Sequence, residues 1–315
     1  MPYNSVINRT DADALIPVEE TREIFTAASG GSAIMQLAKR LPDMSAKQRR
    51  LKLVNSLPEA YFVNGDTGYK QTTKQAWENK YIEAEEIAVV VPIPEAVLED
   101  ADYDIWAQIR PDLSSAIAKA FDAAVLYGTN APATWPGGVV PGATAAGNAV
   151  ALGTNADHYQ DLLGVDGLIS KVEEDGYMVS GHVGAMKARA MLRGIADSTG
   201  QPVFRQMLGM QPGTQYELDG SSIVFPRNGA IDETKSLLIS GDWSQLVFAV
   251  RQDITFKVFT EGVITDNTGA VIYNLMMQDM AALRVVFRAG WQLPNPINHI
   301  NDNTATRYPF AVLTP

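Results

Sequence analysis

Between Asp104 and Gly128 apolar residues recur at every fourth position: Ile105, Ile109, Leu113, Ile117, Phe121 and Val125. That period lays one continuous stripe along a helix, with Asp102 or Asp104 as the N-cap and Gly128 as the stop. From Ile105 to Tyr127, at about 1.5 Å per residue, such a helix spans roughly 35 Å, long enough to act as a spine. Ala116, Ala120 and Ala124 widen the stripe, and these small side chains allow close packing on the second half. Pro111 removes the bond to the Ala107 carbonyl, which predicts a bend or two collinear parts. Everything else in the chain has to supply surfaces for this spine.

The best surface lies far downstream. In Gln245–Phe259, residues Leu246, Phe248, Val250, Ile254, Phe256 and Val258 alternate with Arg251, Asp253, Thr255 and Lys257, and in Met280–Trp291 the residues Leu283, Val285, Phe287, Ala289 and Trp291 oppose Arg284 and Arg288. A period of two marks strands with one buried face. The turn between them carries Asp266-Asn267-Thr268-Gly269. Upstream of the spine, residues 1–30 are polar, with a short helical reading over Pro17–Ala28, and a second short helix is expected over Ser32–Leu41. From Ser45 to Ile93 the texture becomes extended: Leu51 and Leu53, Tyr61 and Val63, then Ile87, Val89, Val91 and Ile93 alternate with their neighbours. Between those limbs lies a polar stretch from Asn64 to Lys74, holding Gly65, Asp66, Thr67, Gly68, Tyr69 and Lys70, with turn chemistry and little to bury. The expectation is a long projecting hairpin, marginal by itself and completed by a partner subunit. After the spine, Thr129–Gly153 is rich in Gly, Pro and Ala and reads as a loop. Residues 154–240 read as a compact α+β lobe, with a helix over His158–Asp175, a strand at Tyr177–Ser180, a helix over Ala185–Ala196, and strands at Ser222–Phe225 and Leu237–Ile239.

Composition narrows the function. A chain of 315 residues buries a sizeable core, and its longest apolar run, Ile87 to Ile93, is far short of the ~18 residues of a membrane helix. Met1-Pro2-Tyr3-Asn4 opens no secretory signal, so the reading is cytoplasmic, without a membrane. Absence of cysteine removes disulfides, thiolate metal sites and thiol nucleophiles. A net charge of −11 argues against a tight grip on polyphosphate.

Candidate chemistry is sparse. His158, His182 and His299 form no ligand spacing, so neither a metal nor a cofactor is expected. Glu173-Glu174-Asp175 and Glu85-Glu86 read as solvated faces, and Ser180-Gly181-His182 lacks the frame of a nucleophile elbow. No glycine spacing followed by Lys-Ser or Lys-Thr marks a phosphate loop. Lys47, Arg49, Arg50 and Lys52 form the densest basic run, either a solvated strand edge or a contact to DNA or to a neighbour's acidic face, and Met276, Met277 and Met280 read as core filler or contact surface.

Three runs carry a family resemblance: Ser240-Gly241-Asp242-Trp243-Ser244-Gln245-Leu246, Val250-Arg251-Gln252-Asp253-Ile254 and Gln278-Asp279-Met280-Ala281-Ala282-Leu283-Arg284. Together with Pro94-Glu95-Ala96-Val97-Leu98-Glu99-Asp100 opening the spine, they resemble the tailed-phage major capsid proteins of the Hong Kong 97 type. The order of elements over nearly the whole chain agrees with that fold.

The resemblance implies an α+β shell subunit, non-catalytic, with an N-terminal arm (1–44), an extended hairpin loop (45–93), a peripheral domain (94–150 and 241–293) and an axial domain (151–240 and 294–315). It also implies pentamers and hexamers of this chain, a portal protein at one vertex, and packaged double-stranded DNA enclosed without sequence-specific binding. A scaffold is expected to be separately encoded, because arm-like sequence begins at Met1, and a decoration or cement protein is a further possible partner. Subunit contacts are expected at Gly65, Asp66, Thr67, Gly68, Tyr69, Lys70 and Lys74 in the loop, at Arg49, Arg50 and Arg284, and at Asp266 and Asn267. Some relatives crosslink a loop lysine to an asparagine; here that position falls at Gln278-Asp279-Met280 and offers none, so noncovalent contacts are expected to hold the shell. Two alternatives stay open: an encapsulin-like compartment of the same fold, and an α+β enzyme with its site in the 154–240 lobe.

Overall fold

The computed structural model describes residues 31–63, 65, 68–101, 104–155, 157–195, 205–207 and 215–315. The helical reading for Pro17–Ala28 lies outside them. A short helix α1 (Ala33–Leu37) starts on Ser32, whose side chain accepts from the Met35 amide. It ends well before Leu41, because Lys39–Arg40 (β1) pairs in parallel with Val247 and Phe248. Strands β2 (Gln48–Ser56) and β3 (Ala76–Glu83) form the hairpin, antiparallel from Gln48↔Glu83 outward. Tyr61 and Val63 belong to no strand. The run Ile87–Ile93 is not a hairpin limb either. It is β4 (Glu85–Pro94), separated from β3 only by Ala84, followed by α2 (Glu95–Asp100).

The spine α3 (Ile105–Tyr127) has the expected ends. The Asp104 side chain accepts from the Ala107 amide, and Gly128 stops the helix at φ 68°. Helix assignment runs through Pro111 without a break; Ala107 and Pro111 are both exposed, so the freed carbonyl faces solvent. Leu113, Ile117, Phe121 and Val125 are buried as the stripe predicts, whereas Ala116 and Ala120 stay exposed. The stretch read as a loop contains a helix, α4 (Val139–Ala146), and a strand, β5 (Ala149–Ala151). Its glycines are helix ends: Gly138 at φ 101° and Gly147 at φ 91° flank an apolar turn that buries Val139, Val140 and Ala143.

The helix expected over 158–175 is two helices, α5 (His158–Leu163) and α6 (Leu168–Glu174). At Gly164 a Cβ would collide with the Gln160 carbonyl oxygen, so the chain turns there where a longer side chain would not fit. The strand expected at 177–180 is displaced to β6 (Gly181–Gly184), followed by α7 (Met186–Gly194). Next come β7 (Arg205–Met207), β8 (Gln215–Leu218), β9 (Ser221–Val224) and β10 (Leu238–Gly241). A single 3-10 turn, Trp243–Gln245, leads into β11 (Val247–Phe259). The chain closes with β12 (Val263–Thr265), β13 (Val271–Asn274), β14 (Met280–Gln292) and β15 (Phe310–Thr314).

Two larger sheets result, β1-β11-β14-β4 and β5-β15-β10-β6-β9-β8-β7. The core between them is aromatic. Phe121 of α3 meets Trp135 at 5.9 Å, Phe287 at 6.3 Å and Phe248 at 6.4 Å, all edge-on. β15 alternates between two cores: Phe310 and Val312 join the one under α3, Ala311 and Leu313 the one under α5 to α7. In β11 the expectation of one buried face holds only in part. Val247 to Val250 are buried on both faces, because Ile82 and Ala84 cover Val247 and Ala249. Beyond register shifts between Val250 and Thr255, Phe256 and Val258 are exposed by 37% and 45%.

Candidate interaction surfaces

The hairpin is anchored at its base and bare at its tip. Lys80 Nζ donates to the carbonyls of Leu293 (3.2 Å) and Pro294 (2.8 Å), Gln292 Nε2 to the Tyr81 carbonyl (2.9 Å), and Trp135 Nε1 to the Glu83 carbonyl (3.0 Å). Burial lowers the Lys80 pKa, with Arg307 acting in the same direction and Glu78 against it. Arg49, expected at a subunit contact, braces the base from within: its guanidinium donates to the carbonyls of Pro42 (2.6 Å) and Asp43 (2.9 Å). Arg50 is exposed. Toward the tip, Gly65 takes φ 70°, and Gly68, Tyr69, Lys70 and Lys74 are all exposed, Tyr69 by 95%. Asp66 and Thr67 lie outside the described residues. Phe62, missing from the sequence-based set, is fully exposed, and Trp77 is 70% exposed. Tyr61-Phe62 within a polar stretch was the signal available for it.

A second projection, β12–β13, carries Asp266 and Asn267 at its turn. Asp266 Oδ1 accepts from the Thr268 amide (2.8 Å), the Thr268 hydroxyl (2.7 Å) and the Ala270 amide (2.9 Å), bonds that hold its pKa down and fix the turn. Val263, Val271, Ile272, Tyr273, Met276 and Met277 are exposed around it. On the neighbouring sheet Arg284 stacks over the Phe259 ring at 4.8 Å, and Lys257 lies over the same ring at 4.9 Å. The exposed alanines of the spine, Ala116 and Ala120, line a groove of about 620 Å³ together with Ala123, Ile87 and Trp135.

The buried polar groups are spent on structure. Asp122 of α3 accepts from the Ser32 hydroxyl, the Ala33 amide (3.0 Å), the Ile34 amide (3.4 Å) and Asn228 Nδ2 (2.9 Å), tying α1 to the spine. Burial nevertheless raises its pKa, against those four donors. His182 Nε2 donates to the Leu218 carbonyl (3.2 Å), so Nδ1 accepts from the Ser240 hydroxyl (2.7 Å); burial lowers its pKa to about 4 and the ring is neutral. Ser180 accepts from the Trp243 amide at 2.9 Å and is not paired with His182. Among the described residues no group of three or more His, Cys, Asp or Glu is placed to hold a metal ion, and no helix is long and apolar enough to cross a membrane.

The sequence pattern of the phage capsid family matches residues 12–298. The chain belongs to that family. Similar proteins include the major capsid protein of Staphylococcus phage 80alpha, 26% identical over 99% of this chain and 88% of that one. The probable major capsid protein gp17 of Mycobacterium phage D29 is 23% identical over 85% of this chain and 83% of that protein. Among solved structures, a chain from Microbacterium phage Oxtober96 superposes with a TM-score of 0.82 at 33% identity, covering 99% of this chain and 100% of the other.

Proposed function

We infer that this chain is the major capsid protein of a tailed phage, the structural subunit of the icosahedral shell around packaged double-stranded DNA. The observation that carries this reading is apolar surface left open on projections: Phe62, Tyr69 and Trp77 on one hairpin, Ile272 and Tyr273 on the other. An isolated subunit gains nothing from those side chains; copies packed in a closed shell cover them. On this reading, 45–93 is an extended loop over the neighbouring subunit, 94–150 and 241–293 a peripheral domain, 151–240 and 294–315 an axial domain, and 1–44 an arm. The loop residues Gly65, Asp66, Thr67, Gly68, Tyr69, Lys70 and Lys74 then meet a neighbour, with Arg50, Asp266, Asn267 and Arg284 at further contacts and Arg49 setting the hairpin's base. Pentamers and hexamers come from this chain, while portal, scaffold and decoration proteins are its partners during assembly in the host cytoplasm. The acidic balance, −11 overall, suits a lining that confines DNA without binding its sequence.

The test is electron microscopy and sedimentation of the expressed chain, alone and with the scaffold of its phage. Closed shells of uniform size are expected; a stable monomer with measurable enzymatic turnover overturns the reading.

A further inference from the structure

Lys257 and Arg284 are directly opposite one another on β11 and β14. Like charges at such a pair sit with Cβ atoms about 5 Å apart and destabilise an isolated sheet. Both are exposed, both lie over the ring of Phe259, and neither forms an ion pair among the described residues. The ring's negative face relieves part of the repulsion, yet it leaves two cations on a bare sheet face with no counter-charge. The complementary defect lies elsewhere in the same chain. Glu99 and Asp100 form the last turn of α2, where the helix dipole is unfavourable for carboxylates and no basic residue offsets it. Both are exposed and neither has an ion-pair partner among the described residues.

We propose that the Lys257–Arg284–Phe259 cradle is an intersubunit docking site that receives the acidic end of α2, Glu99-Asp100, from a second copy of this chain. Each half is locally unfavourable in the lone subunit, and each supplies the charge the other lacks. Local rules broken in complementary ways within one sequence are what a surface selected for contact with its own copies produces. The pairing puts the ring behind the two cations, so carboxylates approach from the open side and the guanidinium offers them a two-pronged contact. This inference rests on the shell reading, and its test separates the two.

The experiment is charge reversal in the full chain, scored by sucrose-gradient sedimentation and electron microscopy. Lys257→Glu with Arg284→Glu is expected to cut the yield of closed shells at least ~10-fold, and so is Glu99→Lys with Asp100→Lys; the four changes combined are expected to restore it. Circular dichroism of unassembled subunits is expected to keep the wild-type signature, with a Tm no lower than wild type for Glu99→Lys with Asp100→Lys and for Lys257→Met with Arg284→Met, the neutral variant that serves should the acidic cradle fail to fold. Wild-type assembly by the reversed or neutral cradle overturns the site. Loss that the reversed α2 does not rescue overturns the partner and assigns the cradle to another acidic surface. Failure of the wild-type chain to form shells under any condition counts against the shell reading itself.

Discussion

The β2–β3 hairpin and the β15 strand are both short runs of β structure, and they are built on opposite terms. Residues 310–313 of β15 are completely buried, with Phe310 stacked edge-on against Trp243 at 5.0 Å and Leu313 in a separate core. The hairpin carries Trp77 largely and Tyr81 partly in solvent and holds to the body through a few bonds at its base. β15 owes its place to contacts within the chain, whereas the outer hairpin is held in register mainly by its own ladder. One region is finished on folding; the other, on the proposed shell reading, is left for neighbours to finish.

Mutations break this contrast at its two ends. Phe310→Ala opens a cavity beside Trp243 in the core under α3 and is expected to cost about 3–5 kcal/mol, seen as a large drop in the denaturant midpoint or loss of soluble protein. Acid probes the same sheet. His182 is neutral when folded, with a pKa of about 4 against about 6.5 unfolded, so the unfolded chain alone takes up the proton between those values. Stability is therefore expected to fall by on the order of 3 kcal/mol as pH drops through that window, and His182→Gln to flatten the profile in chemical unfolding. Asp122 opposes this: its raised pKa favours the folded state as pH falls through it, so Asp122→Asn is expected to steepen the acid loss.

At the hairpin's base, Gly290 of β14 leaves room for the crossing chain, since a Cβ there would overlap the Glu83 carbonyl oxygen. Gly290→Val is expected to cost about 1–3 kcal/mol, and limited proteolysis is expected to cut between residues 48 and 83 sooner. Smallest of all, Phe62→Ala is expected to move monomer stability by less than about 0.5 kcal/mol, while lowering the count of closed shells in electron micrographs.

Periodicity made the spine legible, with its stop at Gly128 and its cap narrowed to Asp102 or Asp104, of which Asp104 is the cap, because a stripe of buried apolar side chains is a property of one helix. The buried side of β14 was equally plain. Partition of the 45–93 run was not. Ile87 to Ile93 alternate like a hairpin limb, yet their partners are 283 and its neighbours on β14, and only tertiary pairing distinguishes the two. Glycine misled at Gly138 and Gly147, where positive φ ends a helix and does not mark a loop. Exposure of Gly65, Gly68, Tyr69, Lys70 and Lys74 was readable from turn chemistry, but that of Phe62 and Trp77 was not, since an exposed aromatic and a core aromatic have the same letter. Nothing local shows that the Arg49 guanidinium turns back to the carbonyls of Pro42 and Asp43.

The antiparallel partnership of β4 with β14 joins Pro94 to Met280. During synthesis the first strand waits for the second while nearly two-thirds of the polypeptide emerges, which at about 5–20 residues per second is roughly 10–40 s. Throughout that delay a row of valines and isoleucines has no edge to bind. Premature association is thus a kinetic hazard written into the topology, and the rate of this one closure is expected to set how heavily the nascent chain draws on host chaperones.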